Sequence, residues 1–253
     1  MRFASLGSGS RGNATLIEAG GTRLLVDCGF SAKETEKRLG ELNVAADTLD
    51  AILVTHEHGD HIRGVGVMAR RYRIPVWMTG GTLHSHRCGE LPDSRSFTSH
   101  QAAFMIGAIQ VTPFPVPHDA RETVQFTFSS DGAKFGMLTD SGAVTPHVVE
   151  LLQDCDALML ECNHDVKMLA FGPYPSVLQA RVGGRLGHLN NRQAADLLRR
   201  VDHGRLRHLV AAHLSEKNNT PELVKEALLE VSHTIEERMV ISGQDKTTGW
   251  LEV

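Results

Sequence analysis

The chain has 253 residues, 41% hydrophobic and 22% charged, with 24 glycines and 9 prolines. That apolar share builds a buried core and excludes wholesale disorder. A net charge of −4 excludes a protein that holds nucleic acid by bulk positive charge alone.

The elements open as short strands, expected at residues 2–6, 14–19 and 22–27, with Gly20-Gly21 as the tight turn between the last two. Ser31 caps a helix to about residue 42, with Glu34 completing a capping box. Residues 51–55 form a buried strand, followed by THEHGDH, a helical stretch to Tyr72 and a strand at 75–79. Strands are expected at 103–106, 109–112, 124–129 and 134–139. Alternation then takes over: a helix at 146–153, a strand at 157–161, helical segments at 165–171 and 176–182, and a helix to residue 201 capped by Asn190. A buried strand at 206–212 follows, then a helix from Thr220-Pro221 to about residue 232, with proline in its first turn. Strands at 239–242 and 249–253 close the chain. Two strand-rich halves with helices around them predict a two-sheet α/β sandwich. No repeat or linker divides it, so residues 1–253 are expected to be a single domain.

No run approaches the roughly 20 apolar residues that span a bilayer. The Gly/Ser-rich opening MRFASLGSGSRGN lacks the apolar stretch of a secretory signal. Cys28, Cys88, Cys155 and Cys162 form no C-x-x-C pair and read as free thiols in a reducing compartment, so a cytoplasmic location is expected.

Fourteen histidines ask for an explanation, because imidazole is the commonest metal ligand. The densest group is His56-Glu57-His58-Gly59-Asp60-His61. In an extended turn His56 and His58 project to one side, while Asp60 and His61 enter the first helical turn. One segment can therefore serve two adjacent divalent ions, and nitrogen and oxygen donors suit zinc, with manganese or iron possible.

This H-x-H-x-D-H signature resembles that of the metallo-β-lactamase superfamily, and the rest of the chain follows that family's motif order. Asp27 ends an early strand, His118 lies in PVPHDA, Asp140 in LTDSG and His213 at the end of LVAAH. The resemblance implies an αββα sandwich, two mixed sheets flanked by helices, acting as one hydrolase domain. It implies that His56, His58 and His118 bind one metal and that Asp60, His61 and His213 bind a second. Asp140 would bridge the two, and Asp27 would orient a ligand histidine. Such a site suits attack at phosphorus by a metal-bridging hydroxide, with Asp60 among the catalytic groups. It also suits acyl transfer, so a thioesterase or lactonase is the alternative.

Three further segments favour phosphodiesters. The loop at residues 7–13, with Ser8, Ser10 and Asn13, could cradle a phosphate. The second segment is ECNHD (161–165). The third is GHLNN (187–191), followed by HLSEKNN (213–219) with Ser215 and Asn218. Together these resemble the bacterial YycJ/WalJ (VicX) exonuclease group. That resemblance implies a 5′-to-3′ exonuclease acting on DNA rather than RNA, an RNA-processing nuclease being a further alternative, with His164 and His188 as active-site histidines beyond the metal ligands. One would contact the scissile phosphate and the other would protonate the leaving oxygen. Arginines cluster at 70–73, at 181 and 185, and at 199–207, as local positive patches on an acidic chain. Oligomeric state is not legible in the sequence.

Overall fold

Alternation along the strands sets the layers. In Thr22–Val26, Leu24 and Val26 face one apolar layer and Leu25 the other. In Ala157–Glu161, Ala157 and Met159 likewise face the layer opposite to Leu158 and Leu160. This is the period-two pattern of strands buried on both faces. The structure, a computed structural model, describes residues 1–253.

The first half contributes β1 (Arg2–Gly7), β2 (Ala14–Ala19), β3 (Thr22–Val26), β4 (Ala51–Leu53), β5 (Val76–Thr79) and β6 (Ser94–Phe97). The second contributes β7 (Phe104–Ile106), β8 (Ile109–Pro115), β9 (Val124–Ser130), β10 (Ala133–Leu138), β11 (Ala157–Glu161), β12 (His208–Ala212) and β13 (Met239–Ile241). The last strand, β14 (Leu251–Glu252), returns to pair with β1. The sheets thus run β14-β1-β2-β3-β4-β5-β6 and β13-β12-β11-β10-β9-β8-β7. Each changes from antiparallel to parallel pairing along its width: β3 to β6 are parallel in one, β10 to β13 in the other.

The helices are α1 (Ala32–Glu41), α2 (Gly59–Ile62), α3 (Val65–Tyr72), α4 (Gly80–Leu83), α5 (Pro146–Leu151), α6 (Val166–Phe171), α7 (Ser176–Val182), α8 (Asn191–Arg200) and α9 (Pro221–Leu229). Leu39 of α1 and Met68 of α3 pack on the outer face of the first sheet. Val148 of α5, Leu197 of α8 and Leu228 of α9 pack on that of the second. Between the sheets lies a third layer, where Phe3 stacks on Phe135 with ring centroids 4.0 Å apart. The αββα sandwich expected from the sequence is therefore the fold, and no helix is long and apolar enough to cross a membrane.

Three local differences have physical causes. The helical stretch after the histidine motif is two helices, α2 and α3, with a break at Arg63-Gly64, where the Gly64 N–H donates to Cys28 O instead of continuing the helix. β8 continues past residue 112 through Pro113 and Pro115; β7 pairs with it only as far as Val111, so the prolines lie where β9 is its only neighbour. β6 and α4 were not anticipated, since Ser94–Phe97 exposes three of its four residues and carries no apolar alternation.

Candidate metal centre

The site forms where parallel strands end. Asp27 follows β3, Asp140 lies just beyond β10 and His213 follows β12. All three adopt the left-handed conformation, with φ of 59°, 52° and 56°. This conformation costs an L-residue about 1 kcal/mol, which is typical of functional turns held by their surroundings. Each turn directs a polar side chain across the strand ends. His56 and His58 follow β4, and α2 brings in Asp60 and His61. Gly29 lets α2 approach: a Cβ there would lie 1.7 Å from Asp60 O.

The hydrogen bonds fix which imidazole nitrogen faces inward. Thr55 donates to both oxygens of Asp27, from its N–H (2.9 Å) and its hydroxyl (2.9 Å). His61 donates from Nδ1 to Asp27 Oδ2 (2.8 Å), so its Nε2 points at Asp140 Oδ2, 3.0 Å away. The Thr55 hydroxyl is committed to Asp27, so it accepts from His56 Nδ1 (3.0 Å). His56 Nε2 is left buried with no partner, and Asp140 Oδ2 likewise lacks a hydrogen bond. His118 donates from Nδ1 to Gly187 O (2.9 Å), which turns its Nε2 to within 3.2 Å of His58 Nδ1. His213 Nε2 lies 3.4 Å from Asp60 Oδ2 and 3.5 Å from Asp140 Oδ1.

These atoms gather into overlapping sets, His56-His58-His118, His56-His61-Asp140 and Asp60-His61-His213, each within 4.8 Å of one another. Burying an unpartnered acceptor costs several kcal/mol unless something charged meets it. The unpartnered His56 Nε2 and Asp140 Oδ2, amid nitrogen and oxygen donors, fit divalent ions of the zinc type. The electrostatics agree. Burial opposes ionisation of Asp60 and Asp140, yet the surrounding imidazoles outweigh it: Asp60 falls to about 2 and Asp140 well below the usual carboxylate range. Burial likewise opposes charge on His61 and His213. The carboxylates outweigh it and raise both, His213 to about 10. His56, buried among other histidines, is pushed well down.

One central residue was not anticipated as a site residue. Glu161 ends β11 fully buried, and its Oε2 accepts from Ser141 N (2.9 Å) and Leu189 N (3.1 Å). Its Oε1 accepts from His188 Nδ1 (2.8 Å) and lies 3.3 Å from His213 Nδ1. Burial opposes its charge, but His188 and His213 hold its pKa near 2. The available signal was a carboxylate ending an apolar strand, as with Asp27.

The cluster opens into a cavity of about 330 Å³ whose walls include His58, Asp60, Asp140, His188, His213, Ser10 and Ser215. His188 thus reaches the cavity. His164 does not: it lies buried beneath α7, near Gly183, and burial lowers its pKa to about 4. Ser8 and Asn13 also turn inward. The Ser8 hydroxyl accepts from His213 N and donates to Asn13 Oδ1, both at 2.9 Å. Asn13 Nδ2 approaches Asp60 Oδ2 (3.3 Å) and His61 Nε2 (3.2 Å). Asn218 is buried behind the wall, where it donates to Ser215 Oγ.

Comparisons with known proteins agree with the fold. The family described as "Beta-lactamase superfamily domain" matches residues 22–213. The chain is 36% identical over 241 residues to "Exodeoxyribonuclease YycJ" of Bacillus anthracis, covering 94% of this chain and 90% of that one. It is 36% identical over 228 residues to "Exodeoxyribonuclease WalJ" of Streptococcus pneumoniae, covering 88% and 85%. Among solved structures, the metallo-β-lactamase fold protein YhfI of Bacillus subtilis superposes with a TM-score of 0.74 at 17% identity, over 97% of this chain and 98% of that one.

Proposed function

The chain belongs to the metallo-β-lactamase superfamily, and we propose that it is a metal-dependent nuclease that removes nucleotides from the 5′ ends of DNA. The observation that carries this reading is the convergence of His56, His58, Asp60, His61, His118, Asp140 and His213, with His56 Nε2 and Asp140 Oδ2 left unpartnered among them. The choice of DNA is supported by the near full-length likeness to two exodeoxyribonucleases.

His56, His58 and His118 would hold one divalent ion and Asp60, His61 and His213 a second, with Asp140 between them. Zinc suits these donors, and manganese or iron fit the same set. Two such ions supply an activated water and offset the charge of a phosphodiester. Asp27 keeps His61 in the tautomer that ligates. Glu161 holds His188 through Nδ1, which leaves the other ring nitrogen to serve the cavity as donor to the leaving oxygen. Ser10 and Ser215, which line the cavity, would meet phosphate oxygens. Ser8 and Asn13 serve the same site from behind, by positioning His213 and Asp60. Ligands come from the strand ends of both sheets, so residues 1–253 act as one hydrolase domain. The four buried free thiols suit a cytoplasmic workplace.

The test is metal-depleted protein reloaded with zinc, manganese or iron, on 5′- and 3′-labelled DNA and RNA beside thioesters and lactones. Nucleotide release from 5′ DNA ends, abolished in His58→Ala and Asp60→Ala, is expected. Full nuclease activity in folded, metal-free samples of either variant refutes the reading. So does thioester turnover that exceeds turnover of every nucleic acid.

A further inference from the structure

Of the six large hydrophobic side chains that the protein leaves exposed, four lie within residues 166–186: Val166, Phe171, Val177 and Leu186. The Phe171 ring is 90% exposed, and α7 buries no residue at all. The same segment carries Lys167, Arg181 and Arg185 and not one carboxylate, in a chain whose net charge is −4. Its inner side belongs to the cavity, since Tyr174 and Arg181 line it together with Asp140 and His188. Gln179 donates to Ala170 O (3.4 Å), which folds α7 back against the end of α6. An aromatic ring that lines the cavity, another exposed beyond it and three cations therefore share one short stretch of chain.

We propose that residues 166–186 form the platform on which the single strand of a nucleic-acid substrate lies, with Phe171 and Tyr174 stacking on bases and Lys167, Arg181 and Arg185 following the phosphates. Every base has a π-face, so aromatic rings interleaved with cations bind a strand without reading its sequence. The absence of carboxylates selects a polyanion. A second copy of the chain fits poorly, because a two-fold contact through this face would set its cations against the same cations. Arg181 is held in place by Asp119, beside His118, so its guanidinium stands at the mouth before a strand arrives. The proposal rests on the nuclease reading and adds to it the feature that grips the strand.

The experiment measures binding of the metal-loaded protein to labelled phosphorothioate strands of DNA and of RNA, from dinucleotide to dodecamer, by fluorescence anisotropy. Phe171→Ala should weaken binding of the longer strands about 5- to 150-fold, the loss of one stacked base. Phe171→Trp should bind as tightly as the native chain. A Lys167→Ala/Arg185→Ala double variant should show a shallower dependence on salt. Met105→Ala, at an exposed residue on the outer strand β7, is the control and should match the native protein. Equal affinities for Phe171→Ala and native protein overturn the proposal. So does a dimer, seen by light scattering, that Phe171→Ala dissociates without changing strand affinity, which would give this face to a second copy. If the native protein cleaves nucleic acid and Phe171→Ala is silent, only the platform falls. If it neither binds nor cleaves any strand, the nuclease reading fails and the platform with it.

Discussion

Replacing Glu161 by glutamine tests the least visible part of the site. The substitution keeps the side chain's shape but puts an NH₂ where one oxygen stood. An amide oxygen can still accept from Ser141 N and Leu189 N, which lie 2.9 and 3.1 Å from Oε2. The NH₂ then faces His188 Nδ1, 2.8 Å from the native Oε1. Two donors cannot share that position, so His188 must give up its Nδ1 proton and turn its lone pair toward the amide. A hydrogen bond to a charged group is worth about 1.5–3 kcal/mol, equivalent to roughly 10- to 150-fold in rate if it is realised only when His188 delivers its proton. Glu161 Oε1 also lies 3.3 Å from Nδ1 of His213, so the variant is assayed at saturating metal, where the loss through His188 should appear in kcat rather than KM. The deciding comparison is the leaving group. A DNA phosphodiester needs its leaving oxygen protonated, whereas p-nitrophenolate does not. Glu161→Gln should therefore lose activity on DNA and retain most of it on bis(p-nitrophenyl) phosphate. Equal losses on both substrates would show that Glu161 merely braces the ligands and would refute this reasoning.

Three further outcomes follow from the same contacts. Asp27→Asn puts an amide against His61 Nδ1 and should weaken metal affinity about 10- to 100-fold in a chelator competition, with native affinity refuting the orienting role. Ser8→Ala removes the acceptor of the buried His213 N–H and should cost about 1–3 kcal/mol in a urea titration, with KM unchanged; a raised KM at native stability would restore Ser8 to the substrate. Gly29→Ala sets a Cβ 1.7 Å from Asp60 O and should lower the melting temperature and empty the metal site, whereas native metal content at native stability would mean that α2 can yield.

Different parts of this molecule were legible for different reasons. The strands and their layering could be read because alternation is local: Leu24, Leu25 and Val26 declare two buried faces within three residues. The donor cluster could be read because the H-x-H-x-D-H spacing confines four donors to one turn, and because Asp27, Asp140 and His213 each end or closely follow an apolar run. Glu161 also ends an apolar run, but its partners could not be read from it. Its role depends on the parallel pairing of β11 with β10 and β12, and on the 187–189 loop that delivers His188 and the Leu189 N–H. Ser8 was legible as polar but not as structural, because its partner is a backbone N–H some 205 positions away. His164 stands beside Asn163, which touches His213, yet its own Nδ1 only meets Asn163 Oδ1 (3.3 Å) and its ring lies under α7, away from the cavity.

The position of the site follows from the change of pairing within each sheet. Antiparallel pairing lets consecutive strands be joined by tight turns, as at Gly20-Gly21. Parallel pairing forces crossovers and aligns the carboxyl ends of β3, β4, β10, β11 and β12 along one edge of the sandwich. Backbone turns at that edge leave side chains free to converge without disturbing the interlayer core of Phe3, Phe126 and Phe135. A single sheet could present only one such row of ends. Two sheets face their rows toward each other, and the donors divide accordingly. His56, His58, Asp60 and His61 come from the first, while His118, Asp140, Glu161 and His213 come from the second. A cation held across that boundary would tie the layers together as well as serve the chemistry, so loading the site should stiffen the strand ends that carry the left-handed residues.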